Sequence, residues 1–531
     1  MTDEATIAAP EEAGNLRLSL LLGAAMFVLV VDTSLMNVSI SAVVRDLDTT
    51  VSAVQSAIAL EALVSAAFIL ISSKVGDLFG RKRAYVLGLL AYALGALAMT
   101  VAQSIAAIVV FWAIVGGLGA SLLLPAMQSL IHGNFAGAAQ KKTYALIGAS
   151  AAIAAAVGPL LGGLVTTYLS WRVGFLLEAA VIAVVLAQIG LLRDVPYTGD
   201  RQVDTGGAAL SVLGMGGVVL GILVWQEGGD YVVLLMAAGA LALWMLARRL
   251  VRRRREAKVT LLDPDLFRLP HFRLGVSAQM LQNITLGGAM IALPIFLQIR
   301  LEYDAMETGL SLAPLSLTMF AVAILAGRRS GGRRPARIVQ IGFALSTVGM
   351  ALLVPIVPEA ESGWYLLVPL AIAGAGLGLL VSMLNNYTLA PIDEERISEA
   401  AGVNSASGSF GLSFGLAVAG GVLLATLALA FTNMANASPV IPSSQQEQIA
   451  QTLEDDAQVM SNTDLEELLA EEPPAVQEDI LSINTDATNL ALQVALLIPI
   501  LAGALGLFAS SRMMRLPDVE PSASVEAAAL G

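Results

Sequence analysis

The sequence predicts an all-α membrane protein that crosses the bilayer many times. Of its 531 residues, 56% are hydrophobic and only 13% are charged, and the mean hydropathy is +0.77, which is too apolar for a soluble globular protein of this length. Apolar runs of about 20 residues, long enough to span a bilayer as helices, recur from one end of the chain to the other. Lysine and arginine concentrate in alternate connections between these runs, as expected for cytoplasmic loops.

Fourteen apolar runs predict fourteen transmembrane helices. They lie at 17–41, 51–73, 83–102, 105–131, 143–168, 172–192, 207–225, 231–250, 273–299, 307–327, 337–356, 363–389, 400–430 and 488–511. The first run follows an acidic tail and lacks the small-residue cleavage site of a secretory signal, so we expect it to remain as helix one.

The basic residues predict the orientation of the chain. If both termini are cytoplasmic, only Arg45, Arg172 and Arg300 of the 29 basic residues fall outside. We therefore expect a multi-pass protein of the cell membrane, with an even number of helices and both termini in the cytoplasm.

Three loops have a strongly biased charge. The basic loops at 248–258 and 327–337 are typical of topological anchors against an anionic inner leaflet, with specific lipid or nucleotide binding as the alternative. The third, 432–486, holds twelve acids and no lysine or arginine, so we expect it outside, where short amphipathic helices cap the outer face. It either attracts cationic solutes or is simply a solvated loop.

The composition argues against enzyme chemistry. The chain has no cysteine, so disulfides and thiolate metal sites are excluded, and its two histidines, His132 and His271, lie at loop edges without a ligand cluster. We expect no metal, no cofactor and no nucleic-acid partner, and the chain lacks the signalling domain that an intramembrane sensor would need.

A degenerate repeat indicates that the chain has two related halves. The stretches 73–88 and 327–342 are both basic, glycine-rich turns that enter a helix, and they are 254 residues apart. An extra helical pair at 207–250 separates the halves, as in a transporter built from duplicated bundles.

Several short motifs point to a known family. GDLFGRKR at 76–83 is similar to the cytoplasmic loop signature of the major facilitator superfamily, and AVGPLLGG at 156–163 is similar to that superfamily's antiporter signature. VDTSLMNVSIS at 31–41, which keeps Asp32 and Asn37, resembles the first-helix signature of the fourteen-helix drug:proton antiporters. SWRVGF at 170–175 and LPIFLQ at 293–298 also resemble that branch.

The resemblance implies the major facilitator fold, with two six-helix bundles plus two extra transmembrane helices. The expected segments are an N-terminal bundle at 1–200, the additional helices and basic loop at 201–258, five helices of the second bundle at 259–430, an acidic extracellular loop at 431–487, and the last helix and tail at 488–531. It implies a monomeric secondary transporter that exports hydrophobic or cationic compounds in exchange for protons by alternating access. The alternative is export of an endogenous metabolite or lipid, with different or no proton coupling.

The chain departs from the family at positions linked to proton transfer. Ala113 and Gly408 stand where the family often has arginine in helices four and thirteen, whereas Glu61 and Glu178 replace an aromatic residue and an asparagine. Acid has been gained and base lost within the apolar helices.

Three acids interrupt these helices: Asp32, Glu61 and Glu178. At 1.5 Å per residue, each lies roughly 20 Å from the cytoplasmic edge. A charge at that depth is costly unless it is paired, neutralised or wetted, and the helices offer no lysine or arginine at that depth. We expect the acids to bind protons or a cation, and the alternative is polar packing against Asn37, Ser65 or a nearby hydroxyl.

Uncharged polar residues of the second half are expected to line the other side of the cavity. These are Gln279, Gln282, Asn283, Asn385, Asn386 and Asn404. The motifs supply the expected gating residues, which are Asp77, Gly80, Arg81, Lys82, Arg83, Gly158 and Pro159. Asp77 would pair with the basic loop and hold the cytoplasmic side shut, or only form a turn. Gly158 and Pro159 would permit a kink, or only close helix packing.

Overall fold

The described part of the protein is helical, without a strand. This computed structural model describes residues 16–135, 137–194, 204–226, 231–329, 334–392, 396–440, 462–470 and 473–517. The expected acidic loop lies outside the described residues over 441–461, and so does the basic loop over 330–333.

Within its described residues, the first half contains eight α-helices. They are α1 (Leu16–Val38), α2 (Ile40–Leu47), α3 (Val51–Phe79), α4 (Arg81–Met99), α5 (Ile105–Ala107), α6 (Gly117–Asn134), α7 (Gly137–Tyr168) and α8 (Trp171–Ala187). A π-helical segment, Ile108–Gly116, joins α5 to α6 in one continuous rod. The extra pair consists of α9 (Thr205–Gln226) and α10 (Val232–Arg255).

In the part of the second half that the structure describes, there are eight further α-helices. They are α11 (Pro270–Ile295), α12 (Ala305–Arg329), α13 (Pro335–Ile356), α14 (Leu367–Leu389), α15 (Ile397–Ala437), α16 (Asn462–Leu468), α17 (Pro474–Ala495) and α18 (Leu497–Met513). Helix α17 begins with a proline in its first turn, where the missing amide hydrogen costs nothing, and it continues almost directly into α18. Residues 474–487 of the expected acidic loop therefore belong to a helix.

Thirteen helical stretches in the described ranges are long and apolar enough to cross a membrane. Helix α8 has 17 residues and rises about 25 Å, near the lower end of the lengths that span a bilayer. With α8 included, the helices account for the fourteen apolar runs. The prediction of an all-α, multi-pass membrane protein is confirmed.

The helices form two bundles and an additional pair. In the first bundle α1 packs against α7 and α8, and α3 packs against α6. In the second, α11 packs against α15 and α18, and α13 against α14. Helices α9 and α10 pack on each other, and α9 also contacts α3 and α15. The exact division into the five expected segments stays a prediction.

The two bundles meet closely along α7 and α12. A Cβ added to Gly163 would lie 2.4 Å from the Ala305 carbonyl oxygen, and one added to Gly309 would lie 2.3 Å from the Pro159 carbonyl oxygen. Only glycine therefore permits this backbone approach. We call the side on which α1 begins the near end and the opposite side the far end, and the Gly163 contact lies toward the far end.

A hydrogen-bonded contact joins the bundles at the far end. The side chain of Gln298, in the π-helical segment Phe296–Arg300 that follows α11, accepts hydrogen bonds from the amide of Ser41 (2.9 Å) and from its hydroxyl (2.6 Å). It also donates to the Val38 carbonyl oxygen at 3.0 Å. Gln298 is buried, so the contact is shielded from competing water. The far end is therefore closed between the first helices of the two halves.

The orientation can be tested on α10, whose two ends are exposed. Because the chain has no cysteine, Tyr231→Cys and Arg255→Cys each introduce a unique label. We expect a membrane-impermeant maleimide to label position 231 but not position 255 in intact cells, because basic flanks stay in the cytoplasm. Both should label after permeabilisation, and labelling at 255 in intact cells would contradict the expected orientation.

Candidate functional site

Asp32 lies inside the first bundle with two aromatic hydrogen-bond donors. The Trp112 indole nitrogen donates to both carboxylate oxygens, at 2.9 and 3.0 Å, and the Tyr92 hydroxyl donates to Oδ2. Asp32, Tyr92 and Trp112 are almost completely buried. Trp112 sits in the π-helical segment and packs edge-on against Phe175 of α8, with ring centroids 6.3 Å apart. These contacts fix the carboxylate within an apolar surrounding.

Glu178 is the least satisfied acid of the site. It is 4% exposed, it lies on the buried face of α8, and neither of its carboxylate oxygens has a hydrogen-bond partner in the described structure. It lies close enough to Asp32 for the two negative charges to repel. An unpaired carboxylate in this position costs several kcal/mol if it is charged. Binding a proton removes that cost.

Glu61 is the acid on α3, the first-bundle helix that packs against α15 of the second half. Its carboxylate accepts no hydrogen bond from any described residue, and its charge also interacts with that of Asp32. The Ser413 hydroxyl of α15 donates to the Ala59 carbonyl oxygen of α3 at 2.7 Å, which sets the register of these antiparallel helices. Glu61, two residues further toward the near end, is therefore level with Gly411.

Two of the expected amides lie at the same level. A Cβ at Gly411 would lie 2.4 Å from the Met280 carbonyl oxygen, so α11 and α15 touch there. A Cβ at Gly408 would lie 3.3 Å from Asn283 Nδ2 and 3.4 Å from Gln279 Nε2. Gln279 and Asn283 thus line the space beside Gly408, at about the depth of Glu61.

The other expected polar residues form a separate group or stand apart. Asn404 Nδ2 donates to Asn385 Oδ1 at 2.6 Å, which joins α15 to α14. Gln282 is buried with its Oε1 unpaired among the described residues, and Asn386 is half-buried. Asn37 donates to the Thr33 carbonyl oxygen of its own helix at 2.8 Å.

No described hydrogen bond joins Asn37 to Asp32. The two residues are five positions apart on α1, so they point in different directions around the helix. Asn37 is buried all the same, and its Oδ1 has no partner within the described ranges.

The expected gating loop is attached to the end of the first bundle. Gly80 has φ = +103°, a conformation that strains other residues, and it joins α3 to α4 in a tight turn. Asp194 accepts a hydrogen bond from the Lys82 amide at 3.0 Å, and Lys82 Nζ donates to the Leu192 carbonyl oxygen at 2.6 Å.

The remaining gating residues are only partly described. Arg81 is half-buried and Arg83 is exposed. The side chain of Asp77 lies outside the described part of the structure. The pairing expected between Asp77 and the basic loop therefore stays a prediction.

Gly158 and Pro159 sit between α1 and the second bundle. A Cβ at Gly158 would lie 2.6 Å from the Ser34 side chain of α1, and the Pro159 carbonyl faces Gly309 of α12. This pair therefore contacts the helix that carries Asp32 on one side and the opposite bundle on the other. A movement of one bundle against the other would therefore displace α1 through this pair of residues.

Tyr92 and Trp112 were not among the residues expected from sequence. Aromatic side chains within apolar helices usually contribute packing or face lipid. Their polar hydrogens could have indicated a role in the site, because a buried hydroxyl or indole N–H requires a hydrogen-bond acceptor. Asp32 is the acceptor that sequence already offered, but only the fold brings α4 and the π-helical segment to it.

Sequence comparison identifies a known family over most of the chain. The sequence model of the Major Facilitator Superfamily matches residues 22–416. A probable actinorhodin transporter of Streptomyces coelicolor is 27% identical over 413 residues, covering 76% of this chain and 71% of that protein. The puromycin resistance protein pur8 of Streptomyces alboniger is 30% identical over 421 residues, covering 76% and 82% respectively.

Solved structures share the fold at low sequence identity. A bacterial homologue of the human lysosomal transporter Spinster, in an inward-facing and unoccupied conformation, superposes with a TM-score of 0.61 at 13% identity. The match covers 94% of this chain and 98% of that one. At this identity the likeness concerns the fold alone.

The hydrogen bond from Tyr92 to Asp32 can be tested with a matched pair of variants. Tyr92→Phe removes one donor to a buried carboxylate, so we expect a loss of about 1–3 kcal/mol in the free energy of unfolding. Tyr85→Phe removes the same atom from the same helix, but that hydroxyl is buried without a described partner, so we expect little loss. Thermal unfolding of the purified variants measures both, and equal effects would contradict the role of the Asp32 contact.

Proposed function

Because the chain belongs to the Major Facilitator Superfamily, we propose that it exports hydrophobic or cationic small molecules in exchange for protons. The chain is a transporter rather than an enzyme. In this proposal it resides in the cell membrane with the near end facing the cytoplasm. The distribution of lysine and arginine supports that orientation.

The burial of three acids without a cation supports proton coupling. Within the described residues no lysine or arginine pairs with Asp32, Glu61 or Glu178. Burying a charged carboxylate in this apolar surrounding costs free energy. Each acid must therefore take up a proton, bind a cation or contact water during the transport cycle. We assign proton binding to Asp32 and Glu178, which are enclosed within the first bundle. Glu61, on the helix that packs against α15 of the second bundle, exchanges a proton for a cationic substrate.

The contacts between the bundles support alternating access. The buried hydrogen bonds of Gln298 close the far end, and they must break for that end to open. The glycines at the contact between α7 and α12 leave no side chains in the way when one bundle rotates against the other. Gly158 and Pro159 link this surface to α1, so the movement reaches Asp32. The loop at 76–83, held by Asp194, forms the opposing gate at the near end.

The lining of the site supports a broad substrate class. Glu61 provides one negative charge, and Gln279 and Asn283, at about the same depth, provide neutral donors and acceptors beside Gly408. Such a lining favours an organic cation or a neutral polar-apolar compound over an anion. The names of relatives point the same way, since they include a puromycin resistance protein and a cephamycin export protein of Amycolatopsis lactamdurans.

Efflux by Glu61→Gln tests the proposed coupling. Glutamine keeps the size of the side chain but cannot ionise, so we expect normal expression with loss of efflux driven by a proton gradient. Efflux is measured in proteoliposomes with an imposed pH gradient and a panel of cationic and neutral dyes. If Glu61 only pairs with a positive charge, neutral dyes should be spared.

Two further variants make this test specific. Asp32→Asn removes the neighbouring acid and should also abolish gradient-driven efflux. Glu359→Gln makes the same chemical change at an exposed position and should behave as wild type. Full gradient-driven efflux of both dye classes by Glu61→Gln would overturn the proposal and return Glu61 to a packing role.

Two glycines of α15 test which surface faces the substrate. Gly408→Ala places its Cβ against flexible amide ends, so the protein should fold and its relative efflux of bulky and small dyes should change by a few-fold. Gly411→Ala meets the Met280 backbone at 2.4 Å, so we expect less folded protein in the membrane. Unchanged dye preference in well-folded Gly408→Ala would argue against a substrate path beside Gly408.

A further inference from the structure

The near end of α10 divides its arginines between two faces. The buried face of α10, which includes Leu246 and Leu250, packs against the rest of the protein. Arg249 and Arg253 follow this face and pair with Asp204, whose side chain is fully buried, at 2.7 and 3.6 Å. Burial raises the pKa of Asp204, but the hydrogen bonds from Arg249 and Gly207 outweigh it and lower the pKa overall. These two arginines are therefore structural.

A second set of residues forms a stripe on the opposite, outward face. We call Leu241, Trp244, Arg248, Arg252 and Arg255 the outward stripe, and all five are exposed. Their spacing of three or four residues places them along one side of the helix. The stripe changes from apolar to aromatic to basic toward the near end. That order matches acyl chains, the membrane interface and phosphate groups in turn.

The outward stripe is already shaped for a phosphate group. The Arg248 guanidinium lies over the Trp244 ring, 3.9 Å from its centroid, which orients the guanidinium beside the indole. Trp244, the basic residues of α10 from Arg248 to Arg255 other than Arg254, and Lys258 beyond the helix line one groove along the helix surface. An arginine fork held in this way binds two oxygens of a phosphate at once.

The local acid does not neutralise the groove. Glu256 pairs with Arg252 at 2.9 Å and with Lys258 at 2.8 Å. The hydrogen bonds from Lys258 and Arg252 lower the pKa of Glu256 to about 2, so its charge is constant near neutral pH. Six basic residues line the groove, and two of them, Arg249 and Arg253, pair with Asp204. Glu256 is the one carboxylate that faces the other four, and Arg248 and Arg255 have no ion pair within the described residues. The surplus positive charge attracts an anion.

We propose that the outward stripe is a binding site for an anionic phospholipid. The phosphate binds the Arg248 guanidinium beside the Trp244 ring, Arg255 adds positive charge further toward the near end, and an acyl chain runs along Leu241 past Trp244. The apolar continuation of the stripe distinguishes this ligand from a free phosphate, which would gain nothing from Leu241. The surplus positive charge argues against a second copy of this chain in the same orientation, because the two grooves would repel each other.

Lipid retention by the purified, full-length protein tests the proposal. Native mass spectrometry counts molecules of phosphatidylglycerol and phosphatidylcholine that remain bound after both are supplied at equal concentration. We expect wild-type protein to retain phosphatidylglycerol selectively, and Arg248→Gln/Arg255→Gln to lower that retention about tenfold. Trp244→Ala, which keeps every charge, should give a smaller loss. Gel filtration verifies that each variant is folded.

A matched control separates a site from general surface charge. Arg512→Gln/Arg515→Gln removes two exposed cations at the near end of α18, where Arg512 likewise covers the Phe508 ring at 4.6 Å. This control should retain phosphatidylglycerol as wild type does. Equal losses in both double variants would overturn the proposal. So would displacement of the lipid by millimolar inorganic phosphate, or a change of oligomeric state caused by Arg248→Gln/Arg255→Gln.

Discussion

The interior of the first bundle is constrained by the burial of negative charge. Asp32 and Glu178 lie close together in an apolar surrounding, with Glu61 near enough to add to the repulsion. The only donors to Asp32 among the described residues are Tyr92 and Trp112, which are neutral. Hydrogen bonds from neutral groups reduce the cost of one charge but cannot offset three. In the proposed mechanism, bound protons or cations stabilise the site, and that dependence couples it to transport.

The packing around the site could link the charge state of the buried acids to movement of the two bundles. Phe175 presses on Trp112, which holds Asp32, while Gly158 brings α7 against α1 close to Ser34. Packed interiors of this kind shift between discrete arrangements rather than deforming smoothly. In the proposed mechanism, a change in the charge of Asp32 shifts α1 against α7 and, through the contact of Pro159 with Gly309, moves the second bundle.

The sequence predicts the membrane-spanning helices well because each one is recognised from the hydropathy of its own residues. Every apolar run has a helical counterpart, and α8 is unusual only in its length of 17 residues. The site is harder to predict, because it depends on which faces of distant helices meet. Asp32 and Glu178 stand out in sequence as acids in apolar runs, but Tyr92 is chemically unremarkable until α4 is placed beside α1. Close contacts such as that of Gly309 with the Pro159 carbonyl likewise depend on the register between two helices, which no local sequence pattern encodes.

Proton release on substrate binding would test the central claim most directly. The purified protein in weak buffer, with a pH-sensitive dye, is mixed with cationic compounds whose binding is measured in parallel. If the buried acids hold protons that a substrate displaces, wild-type protein should acidify the solution on binding, and Asp32→Asn/Glu61→Gln should bind with little or no release. Saturating binding by wild-type protein without any proton release would contradict the account.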